Sequence, residues 1–169
     1  EFRAARKRTY FRYAPKLVEG GAFYGKELKG AIDREDWKVV EKMFEEYATR
    51  LDGTDKKTVT QTDTYVNSRY FRPMLLLSGT FAERGTSPKQ RALQDQLDLM
   101  TASMSELENC VKDLPGEGFF AAKKKMPTGS ERKQKARDSY AKGRKAFNAY
   151  VSAFNEGLML ELSKLEPIA

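Results

Sequence analysis

The stretch at residues 130–165 reads SERKQKARDSYAKGRKAFNAYVSAFNEGLMLELSKL, and it holds the longest helical pattern in the chain. Ser130 is a favoured helix N-cap directly after Pro127 and Gly129, and Pro167 prevents continuation of the helix. Between these limits the larger apolar residues recur at steps of mostly three and four, the period of one helical face. They are Tyr140, Phe147, Tyr150, Val151, Phe154, Leu158, Leu162 and Leu165. The stretch therefore predicts one helix of about 50 Å, which needs partner helices to cover its apolar side.

Gly143 interrupts this apolar face with a residue that has no side chain. Glycine costs a helix about 1 kcal/mol relative to alanine, so its presence on a buried face needs a packing reason. We therefore expect another helix to approach closely at this position.

The clearest helix start in the chain is the sequence Ser87-Pro88-Lys89-Gln90. Serine at the N-cap, proline at the first helical position and glutamine three residues after the cap form a capping box. Apolar residues follow at alternating steps of four and three: Leu93, Leu97, Met100, Met104, Leu107, Val111 and Leu114. A repeat of about 3.5 residues is typical of the seam of an antiparallel bundle. The pattern predicts a helix over residues 88–114, ended by Pro115 and Gly116.

Less regular patterns predict three more helices. Residues 23–34 form a short one, Asp36 caps a second over residues 37–51, and Asp63 or a nearby threonine caps a third over residues 63–84. The polar residues 52–62 are predicted to be a loop. Pro73 lies inside the third helix and predicts a kink or a break near Arg72.

Residues 1–13 mix five basic residues with four aromatic ones. Pro15 and the pair Gly20-Gly21 follow and indicate a linker. A solvated tail is one interpretation, but solvated tails carry few aromatic residues. The segment therefore predicts a basic N-terminal arm that docks on a partner. Its predicted partner-binding residues are Arg3, Arg6, Lys7, Arg8, Tyr10, Phe11, Arg12 and Tyr13.

Together these segments predict an all-α fold, with an up-down-up-down four-helix bundle, a short extra N-terminal helix and the basic arm. The predicted division is an arm and linker at residues 1–22 and a bundle domain at residues 23–169. No apolar run approaches the roughly 20 residues needed to cross a bilayer, so we expect a peripheral protein without a transmembrane span.

The formal net charge of +7 is concentrated at residues 3–12 and 123–145. A basic surface favours an acidic partner. Lys123, Lys124 and Lys125 are therefore predicted to be partner-binding residues, with a solvated lysine run as the alternative. We expect the neighbouring pair Phe119 and Phe120 to be tucked against the end of the bundle.

The chain has no histidine and one cysteine, Cys110. This excludes histidine-based catalysis, histidine-ligated metals and an internal disulfide. Phosphate-binding glycine loops and a C-x-x-C pair are also missing from the sequence. Cys110 lies in the helical pattern of residues 88–114 and is expected to be a small, partly buried side chain. The sequence predicts a non-enzyme with no catalytic, cofactor or metal site.

Two segments resemble a known family. Residues 28–37, LKGAIDREDW, and residues 140–150, YAKGRKAFNAY, with residues 155–162, NEGLMLEL, are similar to PsbQ-like extrinsic photosystem subunits of red-lineage algae. The resemblance covers roughly residues 23–166 and consists of spacing more than of an invariant signature. It implies a lumenal four-helix bundle on the thylakoid membrane of the chloroplast. Such a subunit binds the photosystem II core and neighbouring extrinsic subunits and supports oxygen evolution without catalysing it.

The long basic arm departs from that family and puts the exact photosystem in doubt. The chain begins with Glu1 instead of methionine, which fits removal of a transit peptide or a partial chain. One alternative is a linker subunit of photosystem I or its antenna. Another is an RNA-associated helical protein, such as a ribosomal accessory subunit, because basic patches with aromatic residues also bind RNA. Acidic residues in the helices at 36–51 and 95–113 count against RNA, so we expect no nucleic-acid partner.

Overall fold

The structure, a computed structural model, describes residues 2–51, 59–82 and 85–169. These residues are mostly helical, as the sequence predicted, with one two-stranded sheet. In chain order the elements are α1 (Phe2–Phe23), a π-helical segment π1 (Tyr24–Leu28), α2 (Lys29–Asp33), α3 (Trp37–Lys42), β1 (Tyr47–Leu51), β2 (Val59–Asp63), a second π-helical segment π2 (Asn67–Phe71), α4 (Arg72–Gly79), α5 (Pro88–Asn109) and α6 (Gly129–Asn155).

Residues 2–22 of the predicted arm and linker at residues 1–22 are instead helical. α1 covers Phe2–Phe23 and continues through π1 into α2, so the predicted short helix at 23–34 is the end of a longer one. Pro15 lies inside α1 on its exposed side, while Ala14 and Leu17 beside it are buried. An interior proline costs about 3 kcal/mol or more, and burial of the opposite face outweighs that cost here.

Gly20 and Gly21 are sites of close approach and not linker residues. A Cβ atom on Gly20 would lie 2.8 Å from Tyr70 Cε1, and one on Gly21 would lie 3.3 Å from Phe147 Cζ. The Tyr70 hydroxyl also donates a hydrogen bond to the Gly20 carbonyl at 2.6 Å. The glycine pair therefore lets α1 pack against π2 and α6 at short range.

The long helices run antiparallel where they touch. Along α1, Arg6 reaches Thr80 after α4 and Gly20 reaches Tyr70 in π2. Tyr24 in π1 stacks on Tyr140 near the middle of α6, at 4.7 Å between ring centroids, whereas Tyr10 in the first half of α1 stacks on Phe154 near the end of α6.

α5 and α6 also pack against each other in opposite directions. Lys142 near the middle of α6 pairs with Glu106 near the end of α5, and Arg132 near the start of α6 donates to the carbonyl of Cys110 after α5. A single core of buried residues connects α1, π1, π2, α4, α5, α6 and the C-terminal residues. The packing therefore places the N-terminal end of α1 near the C-terminal end of α6.

The predicted third helix is present, and Thr64 caps it. The backbone N–H of Asn67 donates to Thr64 Oγ1 at 3.1 Å, and the Asp63 carboxylate accepts from the Thr64 N–H at 2.8 Å. Pro73 does not break the helix. The π-helical segment π2 ends two residues before Pro73. Its wider turns accommodate the backbone hydrogen bond that proline cannot donate.

The predicted helix at 37–51 is wrong in its second half. α3 ends at Lys42, and Tyr47–Leu51 forms a strand that pairs antiparallel with Val59–Asp63, with Tyr47 opposite Asp63. The apolar spacing at 37–51 resembled a helix, but residues 58–62 are rich in β-branched side chains, which favour a strand partner. The predicted loop at 52–62 lies partly outside the described residues, and its described end is strand β2.

α5 begins as predicted, because Ser87 Oγ accepts a hydrogen bond from the Gln90 N–H at 3.1 Å. It ends at Asn109, before the predicted Leu114, and Cys110 is buried as its C-cap. α6 ends at Asn155, ten residues before the predicted Leu165. Gly157 adopts a positive φ of 64°, the left-handed conformation that commonly terminates a helix.

Residues 156–169 fold back along the molecule, and we call them the C-terminal strap. Leu162, Leu165 and Ile168 are buried. Asn155 on α6 exchanges two hydrogen bonds with the backbone of Leu165, at 2.8 and 2.9 Å. Asn148, two turns earlier, does the same with Ile168 at 2.7 and 2.9 Å. The side-chain amides therefore satisfy the backbone N–H and C=O groups of Leu165 and Ile168.

We expect Asn148→Ala and Asn155→Ala each to lower the free energy of unfolding by about 1–2 kcal/mol, because each removes the two hydrogen bonds that the amide makes with the backbone of the strap. Urea unfolding followed by circular dichroism measures this loss. Gln134→Ala is the matched control, since Gln134 is an exposed amide of the same helix. Losses equal to that of the control would show that the strap is not held by these amides.

Candidate partner-binding surfaces

The predicted partner-binding residues of α1 divide into two groups, and the first group belongs to the fold. Tyr10 is only 8% exposed, and its hydroxyl donates to the Ser163 carbonyl of the strap. The Arg6 guanidinium donates to the Thr80 carbonyl at 3.2–3.3 Å and lies over the Phe81 ring. Lys7 forms an ion pair with Glu161 at 3.4 Å. The sequence predicts Tyr10 as a partner-binding residue, whereas in the structure it completes the apolar side of α1.

The second group faces solvent. Arg3, Arg8 and Arg12 are exposed, and Phe11 is exposed to 64% of its surface. Tyr13 is half-buried, and its ring lies beneath Arg12 and Lys16, with charge-to-centroid distances of 5.5 and 5.8 Å. A ring covered on its face by two cations has less surface left for a partner.

An apolar stripe continues from Phe11 along the exposed side of α1. Phe11, Pro15, Val18 and Ala22 are all exposed and are spaced by four, three and four residues, so they lie on one helical face. Arg8 precedes Phe11 on that face, and Arg12 lies beside it. We call these six residues the outer α1 face. A continuous apolar stripe flanked by arginines is typical of a surface that another molecule covers.

The second predicted surface is at the loop between α5 and α6. Its predicted partner-binding residues Lys123, Lys124 and Lys125 are exposed. Phe119 and Phe120, however, are 96% and 95% exposed, so their predicted burial against the bundle end is wrong. We call residues 115–125 the Phe-Phe loop. Because this loop precedes α6 and the start of α1 lies near the end of α6, the two surfaces are separated along the helices.

Three buried tyrosines connect segments of the scaffold by hydrogen bonds. The hydroxyls of Tyr24, Tyr70 and Tyr150 donate to the carbonyls of Tyr140, Gly20 and Met74, at 2.7, 2.6 and 2.6 Å. All three rings are fully buried, and burial is the main cause that raises the pKa of each hydroxyl. The sequence placed Tyr150 on the apolar face of the last helix but offered no sign of these hydrogen-bond partners.

The remaining features concern the lone cysteine, metal-ligating side chains and membrane-spanning helices. The Cys110 thiol is buried against the Glu106 carbonyl, and that burial raises its pKa. Among the described residues, no three side chains of histidine, cysteine, aspartate or glutamate are grouped to hold a metal ion. No helix in the described ranges combines the length and the apolarity needed to cross a bilayer.

No family model, curated protein or solved structure matches the chain. The class that the structure itself defines is a mostly helical protein with two exposed basic and aromatic surfaces. The resemblance to PsbQ-like subunits stays a prediction from the sequence.

Proposed function

We propose that the chain is a non-catalytic extrinsic subunit that binds a photosynthetic membrane complex through its outer α1 face. The host that the sequence resemblance suggests is photosystem II on the lumenal side of the chloroplast thylakoid, where the subunit would stabilise the complex and support oxygen evolution. The observation that carries the proposal is the exposed apolar stripe with arginines on a helix whose opposite side is anchored in the core.

The proposed scaffold for this surface is an up-down-up-down four-helix bundle. Its first helix would be residues 2–33, followed by the helix of π2 and α4, then α5 and α6. The antiparallel contacts of α1 with α4 and α6, and of α5 with α6, support this arrangement. The strands β1 and β2 would then lie between the first two long helices in chain order. A rigid helix presents its side chains for docking with little loss of conformational freedom.

The outer α1 face suits an acidic protein surface with an apolar groove. Phe11 and Val18 are 64% and 53% exposed, so both have apolar area to bury in a partner. Aromatic and arginine side chains carry much of the energy of protein interfaces. Arg8 and Arg12 would speed association with acidic groups, whereas the apolar residues would slow release. Lys123, Lys124 and Lys125 would add long-range attraction from the other end of the molecule.

We expect the double substitution Phe11→Ala and Val18→Ala to weaken rebinding to salt-washed thylakoid membranes by about tenfold or more, because it removes the apolar anchors of the face. The melting temperature should change little, since both side chains are exposed. Leu99→Ala is the matched control, because Leu99 is 57% exposed on α5, outside this face. Quantitative rebinding by sedimentation, with melting curves for each variant, measures the effect.

Rebinding that is undiminished in the double variant would overturn the proposed surface. Deletion of residues 1–13 cannot replace this experiment, because it also removes Tyr10 and Arg6 from the fold. The RNA-associated alternative makes a different prediction. It requires an affinity for RNA that falls as salt rises. For each phosphate contacted, the logarithm of the affinity should fall by about one unit per tenfold rise in salt concentration.

A further inference from the structure

Phe119 and Phe120 occupy the two central positions of a tight turn. The Ala121 N–H donates to the Gly118 carbonyl at 3.3 Å, which closes a four-residue turn with the two phenylalanines at its tip. The rings touch only edge to face, at 5.1 Å between centroids, and nearly all of their surface is exposed. Turn tips favour glycine, proline, asparagine, aspartate and serine, so turn chemistry does not explain two phenylalanines there.

The base of the Phe-Phe loop is firmly tied to the scaffold. Leu114 and Lys124 exchange two backbone hydrogen bonds, at 2.9 and 2.8 Å. The Asn109 side chain donates to the Lys124 carbonyl at 2.8 Å, and the Met126 N–H donates to the Asp113 carboxylate at 2.7 Å. The loop therefore holds its tip away from the core by specific contacts at its base.

The two limbs of the loop are in direct contact. A Cβ atom on Gly116 would lie 2.2 Å from the Ala122 carbonyl oxygen, so only glycine allows this approach. Gly118 has a positive φ of 88°, which turns the chain into the tip. These glycines narrow the loop and leave small residues behind the two phenylalanines.

The positive charge of the loop lies at its base, three to five residues after Phe120. Residues 115–125 contain three lysines, at positions 123–125, and one acidic residue, Glu117. All three lysine side chains are exposed, and within the described part of the chain none lies within ion-pair distance of a carboxylate. The loop thus carries two exposed apolar rings at its tip and three exposed lysines at its base.

We propose that the Phe-Phe loop inserts into the interface of an anionic lipid bilayer, with Phe119 and Phe120 among the upper acyl chains and Lys123, Lys124 and Lys125 at the anionic headgroups. This goes beyond the proposed function, which concerns binding to a protein complex through α1. Apolar burial at the headgroup boundary together with attraction to anionic lipid is the usual basis of reversible membrane association.

The shape of the loop favours a bilayer over a protein partner. Residues that dominate protein interfaces sit at the centre of a patch, surrounded by contacts that exclude water. Here the tip is convex, and glycines and alanines flank it, so little neighbouring surface could form such a ring. A fluid interface closes around a convex tip without a preformed pocket, and mobile headgroups adjust to three adjacent lysines.

Vesicle binding tests the proposal. The full chain should co-sediment with vesicles of phosphatidylcholine and phosphatidylglycerol and bind pure phosphatidylcholine much more weakly. The pair Phe119→Ala and Phe120→Ala should lower the partition coefficient by about tenfold or more, because it removes the inserted apolar area. Changing Lys123, Lys124 and Lys125 together to glutamine should lower it by about a hundredfold, roughly fivefold for each lysine near the surface.

Matched controls separate insertion from general effects of charge and apolarity. Leu160→Ala removes an exposed apolar side chain of the strap, and the joint change of Lys26, Lys29 and Lys38 to glutamine removes three exposed lysines elsewhere. Both controls should bind within about twofold of the unmodified chain, apart from a general charge effect that salt screens. All four variants should keep the circular dichroism spectrum and melting temperature of the unmodified chain.

Depth of insertion is measured directly with Phe119→Trp in a Trp37→Phe background. Its fluorescence should shift to shorter wavelength on vesicles and be quenched by brominated acyl chains. Absence of quenching, no binding of the unmodified chain to anionic vesicles, or equal binding by the double phenylalanine variant would each overturn the proposal. The vesicles contain no protein, so these results do not depend on the photosynthetic host.

Discussion

Gly143→Ala is expected to lower the free energy of unfolding by about 2–4 kcal/mol, because overpacking and a disturbed buried hydrogen bond act together. The new Cβ atom would lie 2.3 Å from the Tyr24 hydroxyl oxygen and 2.9 Å from Ser103 Oγ. Tyr24 is fully buried and donates to the Tyr140 carbonyl, so its hydroxyl cannot move without losing that partner. Urea unfolding at neutral pH measures the loss.

Gly79→Ala is the matched control, and its expected effect has the opposite sign. Gly79 is at the exposed end of α4, and a Cβ atom there would meet no atom within 4 Å. Alanine is the better helix former by up to about 1 kcal/mol, so this variant should be unchanged or more stable. A stabilising Gly143→Ala would show that α6 does not approach π1 and α5 as closely as described.

The second large effect is a loss of stability in alkaline solution. Tyr24, Tyr70 and Tyr150 are buried, and as tyrosinates they could no longer donate to their backbone acceptors. Burial raises the pKa of each hydroxyl above its ordinary value of 10.0. The folded state therefore keeps protons that the unfolded state releases, and stability is present below pH 10 and lost as pH rises above it.

The free energy of unfolding should fall steeply as pH rises, because the three hydroxyls act in the same direction. Each contributes about 1.4 kcal/mol per pH unit, so together they should remove about 4 kcal/mol for each unit above their ordinary pKa. Urea unfolding at a series of pH values measures the slope. The part of the tyrosinate absorbance that these three hydroxyls supply should rise together with the loss of helical circular dichroism, because they are fully buried in the folded state.

Tyr150→Phe gives the control for this prediction. It removes one of the three hydroxyls and should make the alkaline slope smaller by about 1.4 kcal/mol per pH unit. The Met74 carbonyl then loses its donor, so stability at neutral pH should also fall, by about 1 kcal/mol. Equal stability of the unmodified chain on both sides of pH 10 would contradict the prediction.

Some features of this protein could be predicted from the sequence because local chemistry decides them. Ser87 and Pro88 set the start of α5 through a cap that involves only neighbouring residues. Thr64 likewise caps the helix that follows it. Gly143 indicated a close helix contact because a helix interior disfavours glycine without such a reason. These inferences depend on a few consecutive residues or on one regular period.

The N-terminal helix α1 could not be predicted from the sequence, because contacts with residues far along the chain stabilise it. Pro15, Gly20 and Gly21 favour a break in the chain, yet Leu17 on the same turns is buried against the core. Burial of one apolar face supplied the free energy that local propensity lacked, and the glycines became contact sites with Tyr70 and Phe147. The same reason explains the strap, where Asn148 and Asn155 bind residues far along the chain.

The candidate surfaces show the same division between sequence and tertiary structure. The sequence by itself determined the charge, the lack of histidine and the aromatic content of residues 1–13 and 115–125. Only the tertiary structure decided that Tyr10 is in the core while Phe11, Phe119 and Phe120 face solvent. Apolarity favours burial of every such ring, but packing space exists only where another helix lies opposite. Which rings remain available to a membrane or a partner is therefore a property of the folded chain.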